Sequence, residues 1–156
     1  MALAAVTFFC QDGGLHLRLL HRSFLLLLML PLISFAQETS THPIDKALDA
    51  CTEKDGSTAG TIRCTDKAYA AWDRELNKNY TQLMRQLKPA QKAVLKAAQL
   101  DWLKYRDSEF KVIDSIYDTL QGTMYIPMRI AERLEVVKRR ALALAGYIGL
   151  LNEGSP

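Results

Sequence analysis

The chain has 156 residues, of which 49% are hydrophobic, and its 20 Lys plus Arg against 17 Asp plus Glu leave a formal charge of only +3. This length suits one domain with one modest core. So small a basic excess argues neither for nucleic acid nor for a strongly acidic partner.

A basic segment with His16, Arg18, His21 and Arg22 runs into the apolar block 24–33, the order of the n- and h-regions of a secretory signal. The block is about ten residues long, roughly half of what a helix needs to cross a bilayer core of about 30 Å. Ser34, Phe35 and Ala36 supply a small-x-small site, so residues 1–36 read as a signal peptide cleaved after Ala36. The weaker apolar patch before His16 exceeds what a signal requires and points to an over-extended start. The remainder, 37–156, carries 18 Lys plus Arg against 16 Asp plus Glu. Gln37 stands where a lipidated Cys would have to be, and no later segment is apolar enough to span. A periplasmic or secreted product without a stable membrane anchor is expected.

Of three cysteines, Cys10 falls in the leader, leaving Cys51 and Cys64 as the possible intrachain pair. In an oxidising destination a disulfide is the default, worth about 3 kcal/mol at best for so short a loop. Metal binding is the rival, but two Cys with only His42 nearby fall short of four ligands. No metal and no cofactor is expected.

Residues 37–42 are short and polar and read, with Pro43, as a flexible lead-in to a domain at 44–152. Residues 45–51 make two turns of helix, and 52–60 (TEKDGSTAG) have the Asp, Gly and Ser content of a loop. From Thr61, Cys64, Ala68, Ala71, Leu76, Tyr80, Leu83 and Leu87 recur at helical intervals. Pro89 closes that helix and opens the next, whose stripe is Val94, Ala98, Trp102, Tyr105, Val112, Ile113 and Ile116. The two form a helical hairpin. A break at 119–123 contains Gly122, and the last helix alternates steps of four and three through Ile130, Leu134, Val137, Ala141, Leu144, Ile148 and Leu151, the period of bundle packing. No run alternates as strands do. The predicted fold is all-α, a small three- to four-helix antiparallel bundle with one disulfide, following the signal peptide.

The exported chain has one His, in the lead-in, which removes the commonest general base. Asp101, Asp107, Glu109 and Asp114 interleave with Lys and Arg as a solvated helix face does. No Gly-rich phosphate loop, GxSxG or HExxH occurs, so no catalytic residue is assigned and an enzyme is not expected. The unusual residues are polar groups beside the apolar stripes: Asp73 and Asn77 bordering Leu76 and Tyr80, then Gln99, Trp102, Tyr105, Arg106 and Asp107. Buried polar groups need partners. Asp73 or Asn77 is therefore expected to bond Arg106 or Gln99 across the hairpin and fix its register, with ligand binding as the alternative.

The same residues carry a resemblance. The pieces Asp-x-x-Leu-Asn-x-x-Tyr at 73–80 and Ala-Gln-x-x-Trp-x-x-Tyr-Arg-Asp at 98–107, together with Cys51, Cys64, Ala68, Leu87 and Leu95, resemble the N-terminal domain family of the LprI-type lysozyme inhibitors. The resemblance runs from about Ala47 to Leu144. One departure stands out: the family usually has a third Cys three residues after its Arg-Asp pair and a fourth in the last helix, where this chain has Phe110 and the stretch Ala131, Glu132, Arg133. The resemblance implies that the missing two would have bonded to each other, leaving Cys51 and Cys64 as the surviving bridge. Burial of Phe110 would recover about 2 kcal/mol of the lost cross-link.

The function so implied is a small exported helical protein that blocks a wall-degrading glycosidase by protein–protein contact. The cleft to be blocked holds two catalytic carboxylates. A tethered polar loop with Glu53, Lys54, Asp55, Ser57 and Arg63 is a candidate contact, Lys54 and Arg63 facing the carboxylates, and Glu53, Asp55 and Asp66 offering an acidic patch to a basic lysozyme. The balance of 37–156 gives no long-range attraction to a basic enzyme. The competing expectation is an envelope interaction module with a different protein partner and no lysozyme inhibition. The oligomeric state is left open.

Overall fold

The computed structural model describes residues 42–154, in which four helices follow one another: α1 (Pro43–Lys54), α2 (Thr58–Gln86), α3 (Pro89–Tyr117) and α4 (Tyr125–Glu153). No strand occurs among the described residues, so the fold is the expected all-α bundle. The expected leader, its cleavage point and the first part of the lead-in lie outside the described residues. No helix among those described is long and apolar enough to cross a membrane.

The helix starts follow from local chemistry. The Nδ1 of His42 accepts a hydrogen bond from the backbone N–H of Ile44 at 3.2 Å, and Pro43 occupies the first helical position. His42 and Pro43, expected in the flexible lead-in, are ordered parts of the helix start, and the His42 ring also lies against the indole of Trp72 with centroids 4.3 Å apart. The expected loop at 52–60 is shorter still, because α1 continues to Lys54 and α2 begins at Thr58. Thr52 joins the helix by donating its hydroxyl back to the carbonyls of Leu48 and Asp49. Ser57 caps α2, its Oγ accepting from the N–H of Gly60 at 3.0 Å. Gly60 ends no loop: it is a buried helical residue, and a Cβ there would lie 2.3 Å from atoms of Asp55. Between α3 and α4, Gly122 adopts a φ of 118°, which L side chains avoid.

The core is built chiefly between α2 and α4. Trp72, Leu76 and Leu83 pack with Leu134, Val137, Ala141, Leu144 and Ile148, and Trp72 is 0% exposed. Pairings advance together along both helices, since Lys138 sits over Trp72, the Nδ2 of Asn79 donates to the carbonyl of Ala141 at 3.1 Å, and Leu83 and Leu87 share a cavity with Tyr147 and Leu151. α2 and α4 therefore run parallel, with α3 antiparallel to both. α3 is tied to α4 by Arg140 to Gln99, Arg133 to Asp114 and Arg129 to Asp118. α1 runs antiparallel along the start of α2, held by the Cys51–Cys64 disulfide with Cα atoms 5.7 Å apart and by Ile44 and Leu48 against the core.

The α4 stripe read from spacing is the buried one, but the α3 stripe is so only in part. Val94, Ala98, Tyr105, Val112 and Ile116 are exposed, Val94 by 70%. Of the expected stripe, Ile113 is buried and Trp102 leans on the core, where Leu95 and Phe110 join them. The two lines are neighbours on the helix, one residue or about 100° apart. With α2 and α4 already packed on each other, only the second line meets them.

Candidate functional site

The splay of α3 from α2 leaves a groove of about 260 Å³ between them. Asp73, Leu76, Asn77 and Tyr80 line it from α2, and Lys96, Gln99, Trp102 and Arg106 from α3, with Leu100 and Leu103 completing that wall. Both halves of the polar pattern singled out in the sequence thus meet in one place. Two of its members do not: Tyr105 lies in a separate depression with Val136, Arg139 and Ala143, and Asp107 is exposed.

The hydrogen bonds differ from the expected register pins. The Nδ2 of Asn77 donates to the carbonyl of Asp73 at 2.8 Å and to its carboxylate at 3.2 Å, within α2. Arg106 donates its Nε and Nη2 to one oxygen of Asp107, at 2.9 and 2.7 Å, within α3. Gln99 does bond across a helix boundary, but to α4, its Oε1 accepting from the Nε of Arg140 at 3.0 Å. No Asp73 or Asn77 bond to α3 forms, because α3 stands off from α2 at this level. The guanidinium groups of Arg106 and Arg140 flank the Trp102 ring at 5.7 and 6.0 Å, inside the range of cation–π attraction.

The buried asparagine is Asn79, which the sequence reading passed over. It lies three residues after Leu76 and four before Leu83, both in the core, so spacing alone placed it on the buried line. Beside the groove, burial pushes the Tyr69 hydroxyl above the usual tyrosine range, with Asp73 adding to the rise and Arg106 and Arg133 opposing it.

The candidate contact loop is corrected by the structure. Glu53 and Lys54 form the last turn of α1, Ser57 is the α2 cap, and Arg63 lies in α2, which reduces the loop to 55–57. The carboxylate of Asp55 accepts from the Ser57 hydroxyl at 2.6 Å and from its N–H at 3.2 Å, bonds that hold it below its usual range, and it also pairs with Arg63. Arg63 is thereby neutralised within its own chain. Asp66 remains exposed on α2. Among the described residues no group of three or more His, Cys, Asp or Glu side chains is placed to hold a metal ion.

Residues 49–144, which include both halves of the groove and the disulfide, match the family described as "Lysozyme inhibitor LprI". The chain belongs to the LprI family. A crystal structure of a protein from Burkholderia thailandensis is similar, with 33% identity and a TM-score of 0.66 over 72% of this chain. This chain spans 56% of that longer protein. No curated protein matches.

Phe110, where the resemblance led to the expectation of a cysteine, lies beneath the guanidinium of Arg133 at 5.3 Å. An aromatic–cation contact and the Arg133–Asp114 ion pair join α3 to α4 there.

Proposed function

We propose that the exported chain inhibits a lysozyme by protein–protein contact, with the mouth of the α2–α3 groove as part of the contact face. One observation carries this reading: the polar motif members Asp73, Asn77 and Arg106 line the groove yet bond only to neighbours on their own helices. The bundle does not need them for its register, which leaves recognition as their use.

Trp102 and Arg106 are the residue types that anchor protein interfaces. Lys96 on the rim suits a carboxylate at the centre of a glycosidase cleft, whereas Arg106 and Arg63 are already engaged by Asp107 and Asp55. The groove has polar edges and an aromatic wall but no nucleophile–base pair, so the reading is of a binding protein and not of an enzyme. Its partner is a protein met in the periplasm or outside the cell.

The test is clearing of a cell-wall suspension by a panel of lysozymes with the exported chain added. Slowed clearing is expected, and Lys96→Glu or Asn77→Arg, both on exposed positions, should relieve it while leaving the melting curve unchanged. No slowing at tens of micromolar protein would remove the reading.

A further inference from the structure

Where α2 ends, α3 begins and α4 ends, the helices leave a second, larger cavity of about 520 Å³. Its walls are apolar, built from Leu83, Leu87, Val94, Leu95 and Leu150, and Val94 and Leu150 are 70% and 66% exposed. Such a patch stays unfavourably hydrated until something covers it.

One cation, Arg140, lines the same cavity. Its Nε is used by Gln99, but its Nη2 is buried with no hydrogen-bond partner. The other partly buried arginines of the bundle face carboxylates, Arg106 with Asp107, Arg129 with Asp118 and Arg133 with Asp114. Among the described residues no carboxylate pairs with Arg140. Burial holds its guanidinium below the usual arginine range, with Tyr147 opposing. A partly buried guanidinium with no carboxylate facing it and one idle donor is less well satisfied than its neighbours, and an arriving anion would relieve it.

From the joint presence of apolar walls and this unmatched guanidinium, we infer that the cavity binds an amphiphile, an aliphatic chain ending in a carboxylate. The headgroup pairs with Arg140 and the chain lies along Leu83, Leu87, Val94 and Leu150. The volume falls within the range of about 300–1,000 Å³ usual for small-molecule sites, which are likewise mostly apolar with a few polar groups. A second copy of this chain is a poorer occupant, because a two-fold contact would bring the same arginine from both sides.

Calorimetric titration with three ten-carbon probes tests the inference: decanoate, decan-1-ol and decyltrimethylammonium. Decanoate is expected to fill one site per chain, with the alcohol at least about tenfold weaker and the cation undetected. Arg140→Gln should reduce decanoate to the level of the alcohol, and Val94→Glu should abolish both without changing the helical signal or the melting curve. Equal binding of all three probes, no binding at all, or decanoate affinity untouched by Arg140→Gln would overturn it. So would a dimer in sedimentation that Val94→Glu dissociates, which would assign the walls to a second copy.

Discussion

Asp45 accepts the indole N–H of Trp72 at 3.1 Å, and so ties the first turn of α1 to the most deeply buried side chain of α2. Its second carboxylate oxygen takes the ammonium of Lys138, from α4, at 3.0 Å. One side chain therefore joins three helices. Asp45→Ala should lower unfolding free energy by about 1–3 kcal/mol, since the indole N–H loses its partner and a partly buried ammonium is left with Glu135 alone at 3.5 Å. Asp45→Asn keeps an acceptor for the indole and should lose less. Urea unfolding of the two variants beside the parent measures the difference.

The same cluster sets a dependence on pH. Burial acts to lower the Lys138 pKa, but hydrogen bonds and charge from Asp45 and Glu135 outweigh it and hold the ammonium above the ordinary 10.5. A folded value above the unfolded one gives stability that is fully present below the unfolded value and lost as pH rises through the folded one. Tyr69, also raised, acts with the same sign in the same alkaline window. Melting temperature should fall as pH climbs past about 10, and Lys138→Met should flatten that fall. On the acid side, Asp55 is held below 3.8 by Ser57. Its contribution is present above that pH and disappears beneath it, so Asp55→Asn should flatten the acid limb.

The disulfide fastens α1, a helix of only 12 residues, to α2. Cys51→Ser should lower stability by up to about 3 kcal/mol, while the far-ultraviolet circular dichroism of the three long helices stays nearly unchanged. Amide exchange should quicken in α1 and remain slow around Trp72 and Val137. Equal melting of variant and parent would show that the bridge does not matter to the fold.

Two asparagines two residues apart should behave oppositely. Asn79, 5% exposed, donates to the Ala141 carbonyl across the α2–α4 contact, and Asn79→Leu should cost about 1–2 kcal/mol by removing that bond and placing a differently shaped side chain in a packed contact. Asn77 is exposed and bonds within α2, so Asn77→Leu should stay within about 0.5 kcal/mol of the parent. Chemical denaturation of both separates a packing role from a surface one.

The helices themselves were legible because their punctuation is covalent or conformational: Pro43 and Pro89 at starts, Gly122 at the break. The α4 stripe was legible because its steps of four and three describe a single narrow face. α3 was harder for a physical reason. It carries two apolar lines one residue apart, the exposed Val94, Tyr105, Val112 and Ile116 and the inward Leu95, Trp102 and Ile113, and periodicity mixes them because the choice between adjacent faces is made by helices elsewhere in the chain. The 52–60 segment misled in another way, since its Thr, Ser and Gly are turn formers that here serve as a back-bonded helix residue, a cap and a close-approach site. The groove was legible as two motif halves, but not the distance between their helices, which decides whether Asn77 reaches across or stays on its own side.

The parallel pairing of α2 with α4 has a consequence for the order of events in the cell. Much of what covers Trp72 and Leu76 lies beyond residue 130, on Leu134, Val137, Lys138 and Ala141, so a chain released front end first can close the Cys51–Cys64 bridge while its central tryptophan is still partly wet. Completion waits on the final segment. Cutting the coding sequence within α4 should therefore be far more damaging than severing the bridge, even though the bridge is the more conspicuous fastening.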